Sequence, residues 1–369
     1  MVEQELPELG IDVRFLATGL GTYAFNVLKN LERSGLMRIR AVTRVEHTEI
    51  LRPYCDSFRY VGAGMYTATE QLSLARAASG CRLFHATHYN VPVLHRGTIL
   101  VTIHDLTHLL DKSLRKAFKS VFYAHPMLRF ASSRASHLIT VSEYSKRNLV
   151  HLLRVPEEKI TVIPNGVDAA FQPENYESSL KAIQKLLRFD APYVLFIGNL
   201  KPHKNVDGLL RAFAIMKNAR QVDHKLLIVG EDSRHKPALV RLAVDLGLAD
   251  NVIFAPRVAR EYLRLLYCGA IVTVLPSFEE GFGLPVLESM ACGTPVACSK
   301  TASLPEVGGD AAEYFDPTSA ESIAQTICKL MNSSERLSEL QRRGPERAKQ
   351  FSWESSGREH LKLYRSLLQ

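Results

Sequence analysis

Short apolar runs separated by longer stretches of helical periodicity recur along the whole chain. In the first half the runs fall at residues 10–16, 98–103, 137–141 and 160–163. In the second half they fall at 193–197, 225–229, 251–254, 271–275 and 295–299. They are rich in Val and Ile and carry few charges. A run that is apolar throughout, rather than at every second position, predicts a strand covered on both faces, as in a parallel sheet. Between the runs, Leu209, Leu210, Phe213 and Met216 fall on one face of a helix predicted over 205–217, with Asn205 at its N-cap. Ser142 is the N-cap of another predicted over 142–153, with Glu143 in its first turn. Strand–helix alternation of this kind predicts an α/β class and a doubly wound architecture.

The alternation breaks once. Gln172-Pro173-Glu174-Asn175 is turn-like, and Phe189-Asp190-Ala191-Pro192 leads into a fresh strand and glycine turn. A linker between residues 171 and 192 predicts two domains, 1–175 and 176–350; a surface insertion in one large sheet is the other reading. The length, 369 residues, suits two cores better than one.

Composition narrows the class further. Hydrophobic residues make up 46% and charged residues 23%, which excludes disordered, collagenous and coiled-coil chains. Lys+Arg 46 against Asp+Glu 38 gives a net charge of +8, pointing to an anionic partner: nucleic acid, an acidic membrane surface or a phosphorylated substrate. No apolar run approaches the roughly 18–20 residues of a membrane-spanning helix. The acidic start Met1-Val2-Glu3-Gln4-Glu5 lacks a signal-peptide core, so a cytoplasmic location is expected. The six cysteines form no C-x-x-C pair and read as reduced core thiols rather than disulfides or a zinc site.

Three glycine-bearing strand ends carry candidate chemistry. The first is Ala17-Thr18-Gly19-Leu20-Gly21-Thr22-Tyr23, where glycines let backbone N–H groups approach an anion or a sugar; an ordinary tight turn fits it equally well. The second is Gly198-Asn199-Leu200-Lys201-Pro202-His203-Lys204-Asn205, whose lysines at a helix start suit a diphosphate, or form a solvated basic turn. It is not a P-loop, since G-x-x-x-x-G-K-[ST] is absent. The third runs from Ser277 to Val296. A strand ends at Leu275, a loop with Gly281 and Gly283 follows, Pro285 opens a helix and Gly293 closes it. Glu280 then lies in the loop and Glu288 in the helix. Carboxylates beside a phosphate site need hydroxyl groups to bind; the plainer reading makes both solvated charges.

The segment Glu280-Gly281-Phe282-Gly283-Leu284-Pro285-Val286-Leu287-Glu288-Ser289-Met290-Ala291-Cys292-Gly293-Thr294-Pro295-Val296 resembles the E-x7-E signature of retaining glycosyltransferases of the GT-B fold, above all glycosyltransferase family 4. Thr18–Tyr23 is similar to the family's acceptor-side loop. Val141-Ser142-Glu143-Tyr144-Ser145 and Val162-Ile163-Pro164-Asn165-Gly166-Val167-Asp168 resemble its landmarks at the end of the first domain. Phe351-Ser352-Trp353-Glu354 resembles the start of its terminal helix. The resemblance implies two facing Rossmann-like domains with an interdomain cleft. Residues 1–175 would bind the acceptor, 176–350 the nucleotide sugar, and 351–369 would cross back to the first domain.

The resemblance also implies roles. Glu288 accepts hydrogen bonds from ribose hydroxyls and Glu280 from hydroxyls of the transferred sugar. The amides of Phe282, Gly283 and Leu284 meet phosphate and sugar, and Lys204 neutralises the leaving diphosphate. Many relatives carry an Arg after the glycine matched by Gly198; this chain has Asn199, with Lys201 or His203 as substitutes. His104, followed by Asp105 at a strand end, is implied to lie across the cleft near the anomeric carbon; capping of the strand end is the bland alternative. Gly19, Gly21, Thr22, Tyr23, His85, His88 and Asp105 fall on the acceptor side, and Asn165 and Asp168 near the hinge. Metal ligation by His85 and His88 is a weaker reading, because no carboxylate-rich shell accompanies them. The implied enzyme uses no metal or other cofactor and transfers with retention, the leaving phosphate taking the acceptor's proton.

Between Lys112 and Arg154 the only acidic residue is Glu143, against the cations Lys112, Arg115, Lys116, Lys119, Arg129, Arg134, Lys146, Arg147 and Arg154. Leu114, Phe118, Val121, Phe122, Tyr123 and Leu128 intervene. Such a stretch suits peripheral contact with an anionic bilayer, as a lipid-linked acceptor requires, or a set of solvated helix faces. No nucleic-acid-binding module is recognisable. The expected substrates are a nucleotide sugar, with GDP-mannose favoured, and a lipid-linked oligosaccharide or polysaccharide. Two rivals stay open. A nucleotide-sugar epimerase of the same fold releases free product without an acceptor. A regulatory protein binds the donor without turnover.

Overall fold

Two parallel sheets organise the chain in a computed structural model that describes residues 6–16, 19–31, 37–111, 120–219 and 223–369. The chain divides into one unit of Met1–Gly166 with Trp353–Gln369 and a second of Val167–Ser352. The first unit holds β1 (Glu8–Asp12), β2 (Arg38–Thr43), β3 (Ser57–Tyr60), β4 (Leu83–Ala86), β5 (Thr98–Thr102), β6 (His137–Thr140) and β7 (Ile160–Val162). They lie in the order β3-β2-β1-β4-β5-β6-β7. The second holds β8 (Tyr193–Ile197), β9 (Lys225–Val229), β10 (Val252–Ala255), β11 (Val272–Leu275), β12 (Val296–Ser299) and β13 (Glu313–Phe315), ordered β10-β9-β8-β11-β12-β13. Both are Rossmann-like, with the order reversing at β1/β4 and at β8/β11. The α/β expectation with parallel sheets holds in each unit.

The continuously apolar runs became strands, and β11 and β12 are buried at every position. Four strands fall outside those runs: β2, β3, β13 and the fully buried β4. β2, Arg-Ile-Arg-Ala-Val-Thr, carries two arginines. Arg40 is nevertheless buried, because its guanidinium pairs with Glu8 and donates to the carbonyl of Ser79. β3 is a half-exposed edge and β13 spans three residues, both too short for a periodic signal. The run expected over 10–16 ends as a strand at Asp12. Arg14 turns back there, its Nε and Nη2 each 2.8 Å from the Asp12 carboxylate.

The division falls after Gly166, nine residues before the 175/176 boundary expected from the turn signals. Residues 167–174 are bound into the second unit: the amide of Val167 donates to Phe351 O (3.1 Å), and Asp168 and Glu174 pair with Arg260 and Arg264 (2.5 Å each). The terminal helix Trp353–Leu368 belongs to the first unit, where Trp353, His360, Leu361 and Tyr364 are buried. Ser142 caps the helix Glu143–Leu153 as expected, accepting from Ser145 N at 3.1 Å. Asn205 stands at the N-cap of Val206–Asn218, but its side chain makes no cap bond. Its Nδ2 donates to the carbonyls of Pro276 (3.1 Å) and Pro317 (2.7 Å) instead, tying the β8 loop to two other loops. None of the six cysteines forms a disulfide, and all are buried.

Candidate active site

In open α/β sheets, ligands bind outside the carboxyl ends of the strands where the order reverses. In the second unit that point lies between the loops after β8 and β11. The β8 loop runs through a single turn, Pro202–Lys204, and then Asn205, whose left-handed backbone (φ 54°) turns the chain into the helix Val206–Asn218. The β11 loop lies against it, with Phe278 N donating to His203 O at 2.8 Å. Lys204 Nζ is 2.5 Å from Glu280 Oε1, and these side chains retain only 14% and 11% exposure. Ser277 Oγ donates to the same oxygen at 3.2 Å, and Ser303 Oγ donates to Glu280 O at 3.0 Å. The cation and the carboxylate are thus both fixed at the strand ends.

The helix Leu284–Ala291 starts at the same place. Gly283 has φ 101°, and a Cβ there would come within 2.6 Å of Leu304, so only glycine turns the chain from the loop into this helix. Pro285 occupies its first turn, and Gly293 follows its end with φ 72°. Phe282 is buried, its ring edge-on to Phe351 at 5.8 Å. Pro285 has no N–H, and those of Val286 and Leu287 donate to Gly283 O (3.0 and 3.4 Å), so an anion at this end meets the amide of Leu284 and the loop amides before it, with the helix dipole in its favour. Glu288 sits in the second turn, half-buried, and accepts from Tyr267 Oη at 2.7 Å. Burial pushes its carboxyl up to about 7, against the pull of Tyr267 and of Arg260, which pairs with Asp168.

In the first unit, buried polar groups at the strand ends bond to one another in a closed chain. His360 Nδ1 lies 2.7 Å from Ser356 O, and a carbonyl only accepts, so Nδ1 carries the proton. His360 Nε2 therefore accepts from Tyr23 Oη (2.7 Å), and Tyr23 accepts from Thr102 Oγ1 (2.7 Å). Thr102 then accepts from His85 Nε2 (2.8 Å), and His85 Nδ1 accepts from Tyr364 Oη (2.7 Å). One carbonyl orders every proton in this buried chain. Burial pushes His85 well below the ordinary histidine value and His360 down to about 4, so both are neutral. His104 is half-buried and edge-on to Tyr23 at 4.6 Å. Its Nε2 donates to Thr87 O at 3.0 Å, which leaves Nδ1 as an acceptor.

Residues 177–350 match the family model for glycosyl transferases group 1, and residues 2–171 that for glycosyltransferase family 4. The O-antigen chain mannosyltransferase B of Escherichia coli is 31% identical over 287 residues, 77% of this chain and 74% of that protein. This chain belongs to glycosyltransferase family 4. The transferase is also 36% identical to a D-inositol 3-phosphate glycosyltransferase of Acidothermus cellulolyticus, over 63% of its own length and about half (54%) of that protein. Its fold matches Anabaena Alr3699/HepE, a structure with UDP and glucose, at a TM-score of 0.80 and 17% identity. The match covers 98% of this chain and 100% of that one, and the shared fold is GT-B.

The transferase brings together Gly198, Lys204, Glu280, Phe282, Gly283, Leu284 and Glu288 around the ends of β8 and β11. Lys201 and Asn199 are exposed in the same loop. Asn199 Oδ1 folds back to accept from Lys201 N (3.2 Å), while His203 is buried and is a poor substitute for the usual Arg. Several acceptor-side expectations need correction. Tyr23 and His85 cannot line an acceptor pocket, because both are buried and their polar atoms are spent within the chain described above. His88 is buried too, its Nδ1 accepts from Asn90 N (3.3 Å), and burial holds its ring neutral, near pKa 3. Gly19 and Gly21 form the first turn of the helix Gly19–Lys29 rather than a loop before it. A Cβ at Gly21 would fall 2.1 Å from Phe15 O, so this glycine lets the helix pack on the end of the strand turn. Thr22 lies in that first turn, and Asp105 accepts from Thr107 N (2.9 Å). Thr18 lies outside the described residues. Among the described residues, no group of three or more His, Cys, Asp or Glu could hold a metal ion.

Sequence reasoning missed Tyr267 and Arg260. Neither belongs to the motif, and only proximity in the folded unit connects them to Glu288. Of the basic stretch, Lys112, Arg115, Lys116 and Lys119, with Leu114 and Phe118, lie outside the described residues. Arg134 serves the fold, donating to the carbonyls of His95 (3.0 Å) and Gly97 (2.9 Å), and Lys146 pairs with Glu157. Leu128 is in the core, whereas Phe122 is 68% exposed and Val121, Arg129 and Arg154 are exposed as well. Among the described residues no helix is long and apolar enough to cross a membrane.

Proposed function

We propose that this glycosyltransferase moves mannose from GDP-mannose to a lipid-linked oligosaccharide or polysaccharide acceptor, with retention of the anomeric configuration. The observation that carries the reading is the Lys204–Glu280 pair at the β8/β11 reversal, beside the open start of the helix Leu284–Ala291. A donor presents a diphosphate, which needs a cation and amide N–H groups, and a sugar whose hydroxyls need acceptors. Lys204, the amides of Phe282, Gly283 and Leu284, and Glu280 and Glu288 supply that set. Mannose rests on the likeness to the E. coli mannosyltransferase.

In the proposed reaction the acceptor oxygen bonds to the anomeric carbon on the face that the phosphate leaves. The C–O bond to the diphosphate breaks with its electron pair going to the phosphate. The leaving phosphate oxygen takes the acceptor's proton, so no carboxylate nucleophile is required. Lys204 exchanges Glu280 for the diphosphate and steadies its growing charge, a contribution that preorganised positive groups supply in group transfer. His104, neutral and with Nδ1 free to accept, orients a sugar hydroxyl. This reading calls on no metal, since the ammonium and helix amides do the neutralising. Exposed Val121, Phe122, Arg129 and Arg154 support peripheral contact of the first unit with an anionic bilayer carrying the acceptor.

A thermal-shift panel of GDP, UDP, ADP and dTDP sugars tests the donor, followed by transfer assays with the strongest. GDP-mannose is expected to raise the melting temperature most, and an NMR time course is expected to show an α-product from the α-donor. A UDP sugar as the strongest ligand overturns GDP-mannose, and a β-product overturns retention.

A further inference from the structure

The motif glutamate in the helix Leu284–Ala291 is held by a residue that no motif contains. Tyr267, near the end of the helix Arg260–Cys268, is fully buried and places Oη 2.7 Å from Glu288 Oε2. The tyrosine is itself clamped: its carbonyl accepts from Thr294 Oγ1 at 2.7 Å, and its ring stands edge-on to Phe171 at 5.8 Å. Thr294 lies just beyond the helix that carries Glu288, so donor and acceptor are braced by the same loop. A phenol facing a carboxylate donates, and this bond occupies Oε2 and fixes the plane of the carboxylate.

We infer that Tyr267 is a positioning residue for donor binding: its hydroxyl fixes Glu288 through Oε2 and leaves Oε1 as the acceptor for a ribose hydroxyl. The inference rests on the reading that Glu288 binds the ribose. An unanchored carboxylate would have to give up rotational freedom on each binding event, and a fixed one does not. Tyr267 also acts on charge. The titratable groups facing Glu288 are Tyr267, Arg260, Asp168 and Cys292. Tyr267 and Arg260 favour the ionised form, and burial and Asp168 oppose it. Removing the hydroxyl therefore moves the ionisation of Glu288 further up from about 7.

The test is Tyr267→Phe, which keeps the ring and its packing. The expected result is a donor KM raised about fivefold with kcat nearly unchanged, and a pH midpoint of kcat/KM for the donor moved above the wild-type value. Fluorotyrosine at position 267, a stronger donor of the same shape, is expected to move the midpoint down. Wild-type KM and midpoint in both variants overturn the inference. Glu288→Gln separates the two claims. If it binds donor like the wild type, the ribose reading itself fails. If it binds weakly while Tyr267→Phe is normal, only the role of Tyr267 falls.

Discussion

The two units share a strand order, and each places histidine, tyrosine, lysine or carboxylate side chains at the point where that order reverses. They use them in opposite ways. In the first unit, Tyr364, His85, Thr102, Tyr23 and His360 satisfy one another in a closed chain ending on the Ser356 carbonyl. In the second, Lys204 and Glu280 face each other at the rim, and Glu288 is held by one oxygen only. Position at a strand end thus marks where function can sit, and hydrogen-bond saturation tells whether it does. A polar group whose partners all lie within the core stabilises the fold. One that is fixed but unsaturated is arranged for a ligand.

The largest expected effect tests the unsaturated side. Lys204→Ala is expected to lower kcat by about 10²–10³-fold, the loss typical when one preorganised electrostatic group is removed. Thermal stability should change little beside it. A fall in melting temperature that accounts for the lost activity would place Lys204 with the structural groups and erase the contrast.

The saturated side makes the reverse prediction. Thr102→Val keeps the shape but removes the hydroxyl between His85 and Tyr23, leaving a buried imidazole N–H without its acceptor. The expected cost is about 1–3 kcal/mol in chemical denaturation, with donor KM unchanged. Unchanged stability would show that the chain re-forms through another partner or a water.

Much of this contrast was hidden in the sequence for a physical reason. The apolar runs and the Glu280–Gly293 segment were legible because strand burial, the left-handed glycine and the helix-opening proline are local requirements. The strands Arg38–Thr43 and Ser57–Tyr60 were not, since Arg40 is neutralised by Glu8, far along the chain, and the other is a half-exposed edge. His85 and Tyr23 were read as pocket residues because their saturation comes from afar. Tyr23 and His360 lie 337 positions apart, and His85 and Tyr364 lie 279 apart. Lys201 and Lys204 were equivalent by spacing; the family resemblance favoured Lys204, and the folded loop pairs it with Glu280. The same holds for Tyr267, which reaches Glu288 from a different helix.

The smallest effect, and the sharpest comparison, is in pH. Burial lowers the folded-state pKa of His85 and His360 below the unfolded value of 6.5, to about 4 for His360. Their contribution is present above pH 6.5 and is lost as the pH falls from there toward 4, because unfolding then takes up protons. Glu288 runs the other way. Its carboxyl is raised from 4.5 to about 7, so its stabilising contribution is present below pH 4.5 and is lost as the pH rises through 7. Glu288→Gln, a neutral mimic, should therefore raise the melting temperature and weaken donor binding at pH 8, and leave both close to the wild type at pH 4.5. His360→Gln should flatten the acid limb of the stability profile and leave the donor's pH dependence intact. If Glu288→Gln instead lowers stability at pH 8, the carboxylate is satisfied within the fold, as the buried chain of the first unit is.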